Sequence, residues 1–263
     1  MTPEEKEIIE KIRIYSQKHI FPLYLKDDSG NLKFQATLTF VEYKERYFAL
    51  TAYHAIEGYN LEHGLFANCT DISKLTLVHN FPEIDLTILE FSAKHFDGNR
   101  IYFNLNLNID DYSLFNMRAF SWIGFPAAKS KHFNKKDPEN EIINSLNNGL
   151  ITTAKSLLAG IKFQEEFDEH KDHIVGHHSL KDVEYLKEGR KHKGYSFKGM
   201  SGGAFCLHKR QPESIMESIF FIGIGLEHKK NGQIIGLSKK TIITKLDEIV
   251  KQPIEIFYYP IPK

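Results

Sequence analysis

From residue 20 onward, apolar and polar positions fall into short strand-length runs broken by turn residues, whereas both flanks of that region carry helical spacing. At the start, Thr2-Pro3-Glu4-Glu5 forms a capping box with proline at the first helical position. Ile8, Ile9, Ile12 and Tyr15 follow at helical spacing and predict a helix to about Lys18, with one stripe against the body. Phe21–Leu25 reads as a strand ending in the turn Asp27-Asp28-Ser29-Gly30-Asn31. Gln35–Tyr43 and Arg46–Ala52 flank the link Lys44-Glu45 and read as a hairpin. Leu75–His79, Leu86–Phe91, Ile101–Leu105, Arg118–Gly124, Leu150–Thr153 and Gly160–Phe163 continue the series, and Ile242, Ile243, Leu246 and Ile249 predict a closing helix over Lys239–Val250. Two polar stretches interrupt it. Residues 127–149 read as a loop or insertion with a short helix around Glu141–Leu146, and Gln164–Lys193 reads as a charged insertion. Many short strands with few helical periods imply an all-β chain built of antiparallel barrels.

Lysine plus arginine and aspartate plus glutamate each number 34. This zero balance argues against a nucleic-acid or anionic-membrane partner. The opening residues show no basic, apolar and small-residue succession of a signal peptide, and the longest apolar run, Ile219–Leu226, is too short to span a bilayer. Cys69 and Cys206 follow no framework spacing, and Cys206 reads as a buried small hydrophobe rather than half of a disulfide. Together these features place the expected location in the cytoplasm, with a secreted effector as the alternative.

The chemistry gathers in three strings. Leu50-Thr51-Ala52-Tyr53-His54-Ala55 closes an apolar strand with a histidine, Glu83-Ile84-Asp85-Leu86-Thr87-Ile88 opens another with an aspartate, and Lys198-Gly199-Met200-Ser201-Gly202-Gly203-Ala204-Phe205 sets a serine in a glycine-rich turn. A serine hydroxyl needs a base within reach, and the base needs its tautomer fixed. The order His, Asp, Ser with these strings resembles the trypsin-like (chymotrypsin-fold) serine peptidases, within them the bacterial HtrA-like and glutamyl-endopeptidase-like branch. Trp122-Ile123-Gly124-Phe125-Pro126, Phe221-Ile222-Gly223-Ile224-Gly225 and Gly232–Ser238 with the helix after it are similar to further strings of that family.

The resemblance implies two antiparallel six-stranded β-barrels with the active site between them, flanked by N-terminal and C-terminal helices. The expected division is residues 1–19 helix, 20–115 first barrel, 116–250 second barrel with insertions, and 251–263 tail. Ser201 is the expected nucleophile, His54 the general base, and Asp85 the residue orienting it. The Gly199 and Ser201 amides are the expected oxyanion donors. Gly202 and Gly203 are expected to leave room for the imidazole and neighbouring backbone. The substrate pocket falls on Tyr195 and Ser196 at its base, Gly225, Leu226, Glu227 and His228 on one wall, and Gly236 on the other. An apolar or shallow pocket is expected, with recognition of an acidic side chain through Ser196 and His228 as the alternative. The family's animal members carry aspartate just before the serine, where this chain has Met200, so activation by pairing with a new N-terminus is not expected.

Each residue also has a plainer role open to it. Ser201 alone could be a structural turn serine, and Asp85 alone a strand-start cap. His170, His173, His177, His178 and His192 fit no metal-ligand spacing and sit among charged residues, so a solvated loop is expected and neither metal nor cofactor. The leading expectation is a serine endopeptidase acting on a protein or peptide substrate through an acyl-enzyme, with any regulatory partner unknown. A noncatalytic peptide-binding module of the same fold and a nonproteolytic esterase are the alternatives.

Overall fold

The structure is a computed structural model that describes residues 3–26, 32–59, 65–67, 70–71, 76–91, 102–133, 143–145, 151–154, 157–178, 183–184, 191–192, 196–210 and 219–252. Helix α1 (Pro3–Ser16) leads through a single 3-10 turn into β1 (Ile20–Lys26), and Ile12 and Tyr15 of its apolar stripe pack on the body. The first half continues with β2 (Leu32–Tyr43), β3 (Arg46–Ala52), β4 (Leu65–Ala67), β5 (Thr70–Asp71), β6 (Thr76–Phe81), β7 (Leu86–Phe91) and β8 (Phe103–Asn104). The second half holds β9 (Ala119–Gly124), β10 (Ser130–Phe133), β11 (Ile143–Ser145), β12 (Ile151–Ala154), β13 (Leu157–Phe163), β14 (His173–His177), β15 (Val183–Glu184), β16 (Lys191–His192), β17 (Ala204–His208), β18 (Ile219–His228) and β19 (Gln233–Ser238), and ends in α2 (Lys239–Val250).

Six of these strands close a barrel in the order β13-β14-β19-β18-β17-β9. The first half forms an eight-stranded sheet, β5-β4-β1-β2-β3-β7-β6 with β8 beside β2. An all-β chain with a closed six-stranded barrel, a second sheet and two helices is consistent with a chymotrypsin-like double barrel. The first sheet has more strands than the six expected, because the short β4 and β5 extend its β1 edge and β8 adds a brief parallel pairing to β2. The turn predicted at residues 27–31 lies outside the described residues.

Strand alternation sorts the apolar side chains into three cores. Phe21, Leu23, Ala36, Leu38, Phe40, Ala49 and Leu89 fill the first sheet's own core. Phe120, Trp122, Ile161, Ile174, Phe205 and Ile222 fill the barrel. The opposite faces of the same strands meet in a third core, where Phe48, Leu50, Leu86 and Ile88 pack with Ile123, Phe125, Ile224 and Leu226. Helix α2 joins it through Ile242, Leu246 and Ile249. Its first turn is capped by Ser238, whose Oγ accepts from the Thr241 amide at 3.3 Å.

Two sequence expectations need correction. The short helix placed around Glu141–Leu146 is instead strand β11, which pairs with β12. The charged Gln164–Lys193 stretch is not wholly an insertion, because β14 within it supplies a barrel strand paired to β19. In β14 only Ile174 and Gly176 are buried, while His173 and His177 project outward, so two inward positions were too few to register as a strand pattern.

Candidate active site

His54 sits on a 3-10 turn (Tyr53–Ala55) at the end of β3, and Asp85 sits just before β7, the strand paired to β3. That pairing brings the two turns together. Asp85 adopts the left-handed conformation (φ 55°, ψ 41°), which aspartate tolerates better than most residues. In this pose its carbonyl accepts from the Tyr53 amide at 3.1 Å, and its Oδ1 accepts from the His54 amide at 2.9 Å. Oδ2 lies 2.7 Å from His54 Nδ1. Three contacts therefore clamp one turn to one aspartate. With Nδ1–H donated to the carboxylate, the neutral imidazole carries its lone pair on Nε2, which has no hydrogen-bond partner among the described residues.

The hydrogen bond to Asp85 raises the His54 pKa above its ordinary value; burial opposes the rise, and the charges of Asp85, Glu227 and Glu57 add to it. Glu227 lies on β18 in the other half of the molecule.

Ser201 occupies the turn between Phe197 and β17. Its Oγ donates to the Leu226 carbonyl at 3.0 Å, on the same β18 segment. No hydrogen bond joins Ser201 to His54 among the described residues.

The turn is anchored on both sides. Thr37 Oγ1 donates to the Gly199 carbonyl at 3.1 Å and accepts from the Phe125 amide at 2.9 Å, while the Thr37 amide donates to the Ser201 carbonyl at 3.0 Å. Thr39 Oγ1 donates to the Gly202 carbonyl at 2.7 Å. Gly199 and Gly202 both have positive φ, at 91° and 83°. A Cβ on Gly202 would lie 2.3 Å from the Thr37 carbonyl oxygen and 2.7 Å from Thr51 Cα, so β2 and β3, rather than the imidazole, take the room it leaves.

The amides expected to face an oxyanion are oriented by their partner carbonyls. The Lys198 carbonyl accepts from Ala127 at 2.7 Å, and the Met200 carbonyl accepts from Gly203 at 2.8 Å and from the Trp122 indole at 3.2 Å. In a trans peptide the N–H points away from the C=O, so the Gly199 and Ser201 amides are aimed away from these anchors. Neither has an acceptor among the described residues, which leaves two oriented donors next to the serine.

The expected pocket residues divide. Tyr195 lies outside the described residues. Ser196 is exposed, with its Oγ accepting from the Lys198 amide at 3.2 Å. Gly225 and Gly236 have a packing reason: a Cβ on Gly225 would strike the Trp122 ring at 2.3 Å, and one on Gly236 would strike Phe205 at 2.2 Å. Both make space for rings of the barrel core. Leu226 is buried and contributes its carbonyl, whereas Glu227 is exposed. The His228 ring lies 4.9 Å from that of Phe197, and its pKa is lowered first by burial and then by His178. Both causes disfavour the imidazolium that an acidic side chain would pair with.

Sequence reasoning missed Thr37 and Thr39. They alternate with Ala36, Leu38 and Phe40 and would ordinarily mark a solvent face, yet both are fully buried. The length of β2 and its β-branched polar residues were the available signal. Among the described residues no group of three His, Cys, Asp or Glu side chains is placed to hold a metal ion, and no helix is long and apolar enough to cross a membrane. Cys206 is free and buried, while Cys69 lies outside the described residues.

No family model and no curated protein matches this chain. Solved structures do. One is an inactive serine-to-alanine mutant of Rv3671c from M. tuberculosis H37Rv, 13% identical, with a TM-score of 0.49, covering 97% of this chain and 98% of that one. Another is an inactivated protease paralogue of the scabies mite, also 13% identical with a TM-score of 0.49, covering 92% and 98%. Both likenesses are too distant to assign any residue a role.

Proposed function

We propose that this chain is a serine endopeptidase in which Ser201 attacks a peptide carbonyl, His54 moves the proton and Asp85 holds His54. The observation that carries this reading is the clamp on His54: both carboxylate oxygens and the carbonyl of Asp85 engage one turn and leave Nε2 open. On substrate binding the Ser201 hydroxyl rotates from Leu226 toward Nε2. Its oxygen bonds to the carbonyl carbon as its proton passes to His54, and the negative oxygen is received by the Gly199 and Ser201 amides. His54 then returns the proton to the departing amine, leaving an acyl-enzyme that water hydrolyses by the same steps in reverse roles. The pairing of β18 to β17 ends at Ile224, and past Gly225, which bonds the serine turn, the strand gives an extended peptide an edge beside the serine, which favours a peptide over a small ester.

A noncatalytic peptide-binding module is the second reading, favoured by the hydroxyl's bond to the Leu226 carbonyl. Incubation with a peptide library, read by mass spectrometry, separates the two. Cleavage products with the wild type and none with Ser201→Ala support the endopeptidase; no products from a folded wild type support the binding module. Turnover of simple esters without any peptide cleavage would favour the esterase.

A further inference from the structure

The ladder between β17 and β18 ends at Ala204↔Ile224. Past that point the serine turn borders this edge, through Gly202 N–H to the Gly225 carbonyl at 2.7 Å, Gly225 N–H to the Gly203 carbonyl at 2.8 Å and the Ser201 hydroxyl to the Leu226 carbonyl. Glu227 is the next residue. It is fixed on its other side by pairing to Ile235 of β19. Its side chain is exposed and makes no hydrogen bond or ion pair among the described residues. An extended substrate with its carbonyl at Ser201 runs along this edge and brings a side chain past Glu227.

We infer that Glu227 is a specificity-determining residue that selects a lysine or arginine side chain in the substrate segment preceding the scissile bond; this rests on the endopeptidase reading. Three further observations fit. Glu227 directly follows Leu226, whose carbonyl accepts from the Ser201 hydroxyl at 3.0 Å, so its backbone lies beside the serine rather than on a remote rim. Glu57, exposed just after the histidine turn, adds charge of the same sign. Burial lowers the pKa of His228 and so disfavours the cation that an acidic substrate would need.

The test uses the full chain and peptides that differ only by Lys, Gln or Glu at each of the three positions before the scissile residue. At low salt, kcat/KM is expected to favour Lys over Glu by about tenfold at one position, and the ratio is expected to shrink at high salt as the charges are screened. In Glu227→Gln the ratio falls to about twofold or less, and in Glu227→Lys it inverts; thermal melts check that both variants are folded. An undiminished preference in Glu227→Gln overturns the assignment. So does the lack of any preference in a wild type whose serine reacts with a neutral fluorophosphonate. A folded wild type that does not react overturns the endopeptidase reading, and the assignment falls with it.

Discussion

The two halves of the site are built in different ways. The histidine side is local: His54 and Asp85 stand 31 residues apart on paired neighbouring strands, and all three of their contacts lie within the first sheet. The serine side is assembled at long range. Its turn hangs from Thr37 and Thr39, 162 and 163 residues away from the carbonyls they hold, and from β18 behind it. The proposed base is thus oriented by contacts within one half of the chain, whereas the turn of the proposed nucleophile is held by contacts from both halves. The apolar core between them, together with the α2 clamp, joins the two halves. Tyr43 and Lys44 at the β2–β3 hairpin contact Asp247, and Arg46 contacts Glu90 and the last carbonyls of α2.

The contrast predicts graded losses. His54→Ala, which removes the base outright, is expected to lower kcat by about 10⁶-fold with the thermal transition nearly unchanged. Asp85→Asn keeps the base but frees its tautomer and is expected to lower kcat by about 10⁴-fold, measured on the same peptide. Substitutions on the serine side should instead cost stability and activity together. Gly202→Ala forces a Cβ into the backbone of β2 and β3 at positive φ and is expected to destabilise the fold by about 2–5 kcal/mol. Gly58→Ala, with similar φ but nothing within 4 Å, should lose only about 1 kcal/mol, and denaturant melts of the pair separate packing from backbone strain. Thr37→Val leaves the buried Phe125 amide without its acceptor and should cost about 1–3 kcal/mol, together with a fall in kcat that has no counterpart in substitutions on the far side of the first sheet.

The smallest expected effect is on pH dependence. Because the Asp85 hydrogen bond and neighbouring carboxylates raise the His54 pKa, the imidazole stays protonated to a higher pH than usual. kcat/KM should therefore fall on acidification with a midpoint above the unperturbed value of about 6.5. Added salt, by screening Glu227 and Glu57, should move that midpoint downward.

Where a signal was local, the sequence carried it well. Helix α2 has its predicted bounds because its apolar spacing and the Ser238 cap agree. The β2–β3 hairpin was legible from two strand-like runs and a two-residue gap, although Lys44 and Glu45 both adopt the positive φ that glycine or asparagine would normally supply. His54 and Asp85 belong to this class, each read from a strand end. What was illegible depended on partners distant in the chain. Buried Thr37 and Thr39 look like solvent-facing positions until the barrel covers them, and the sequence alone does not show that Gly225 and Gly236 make room for Trp122 and Phe205. Strand β14 was hidden because histidines stand at both of its ends and its inward side includes a glycine.

The most direct test is the rate at which a fluorophosphonate labels the folded wild type, with the modified residue identified by peptide mapping. Modification at Ser201, at least about 10³-fold slower in His54→Ala, is the predicted result, because the open Nε2 must take the hydroxyl proton. Equal labelling in the two proteins, or none in either, would contradict it.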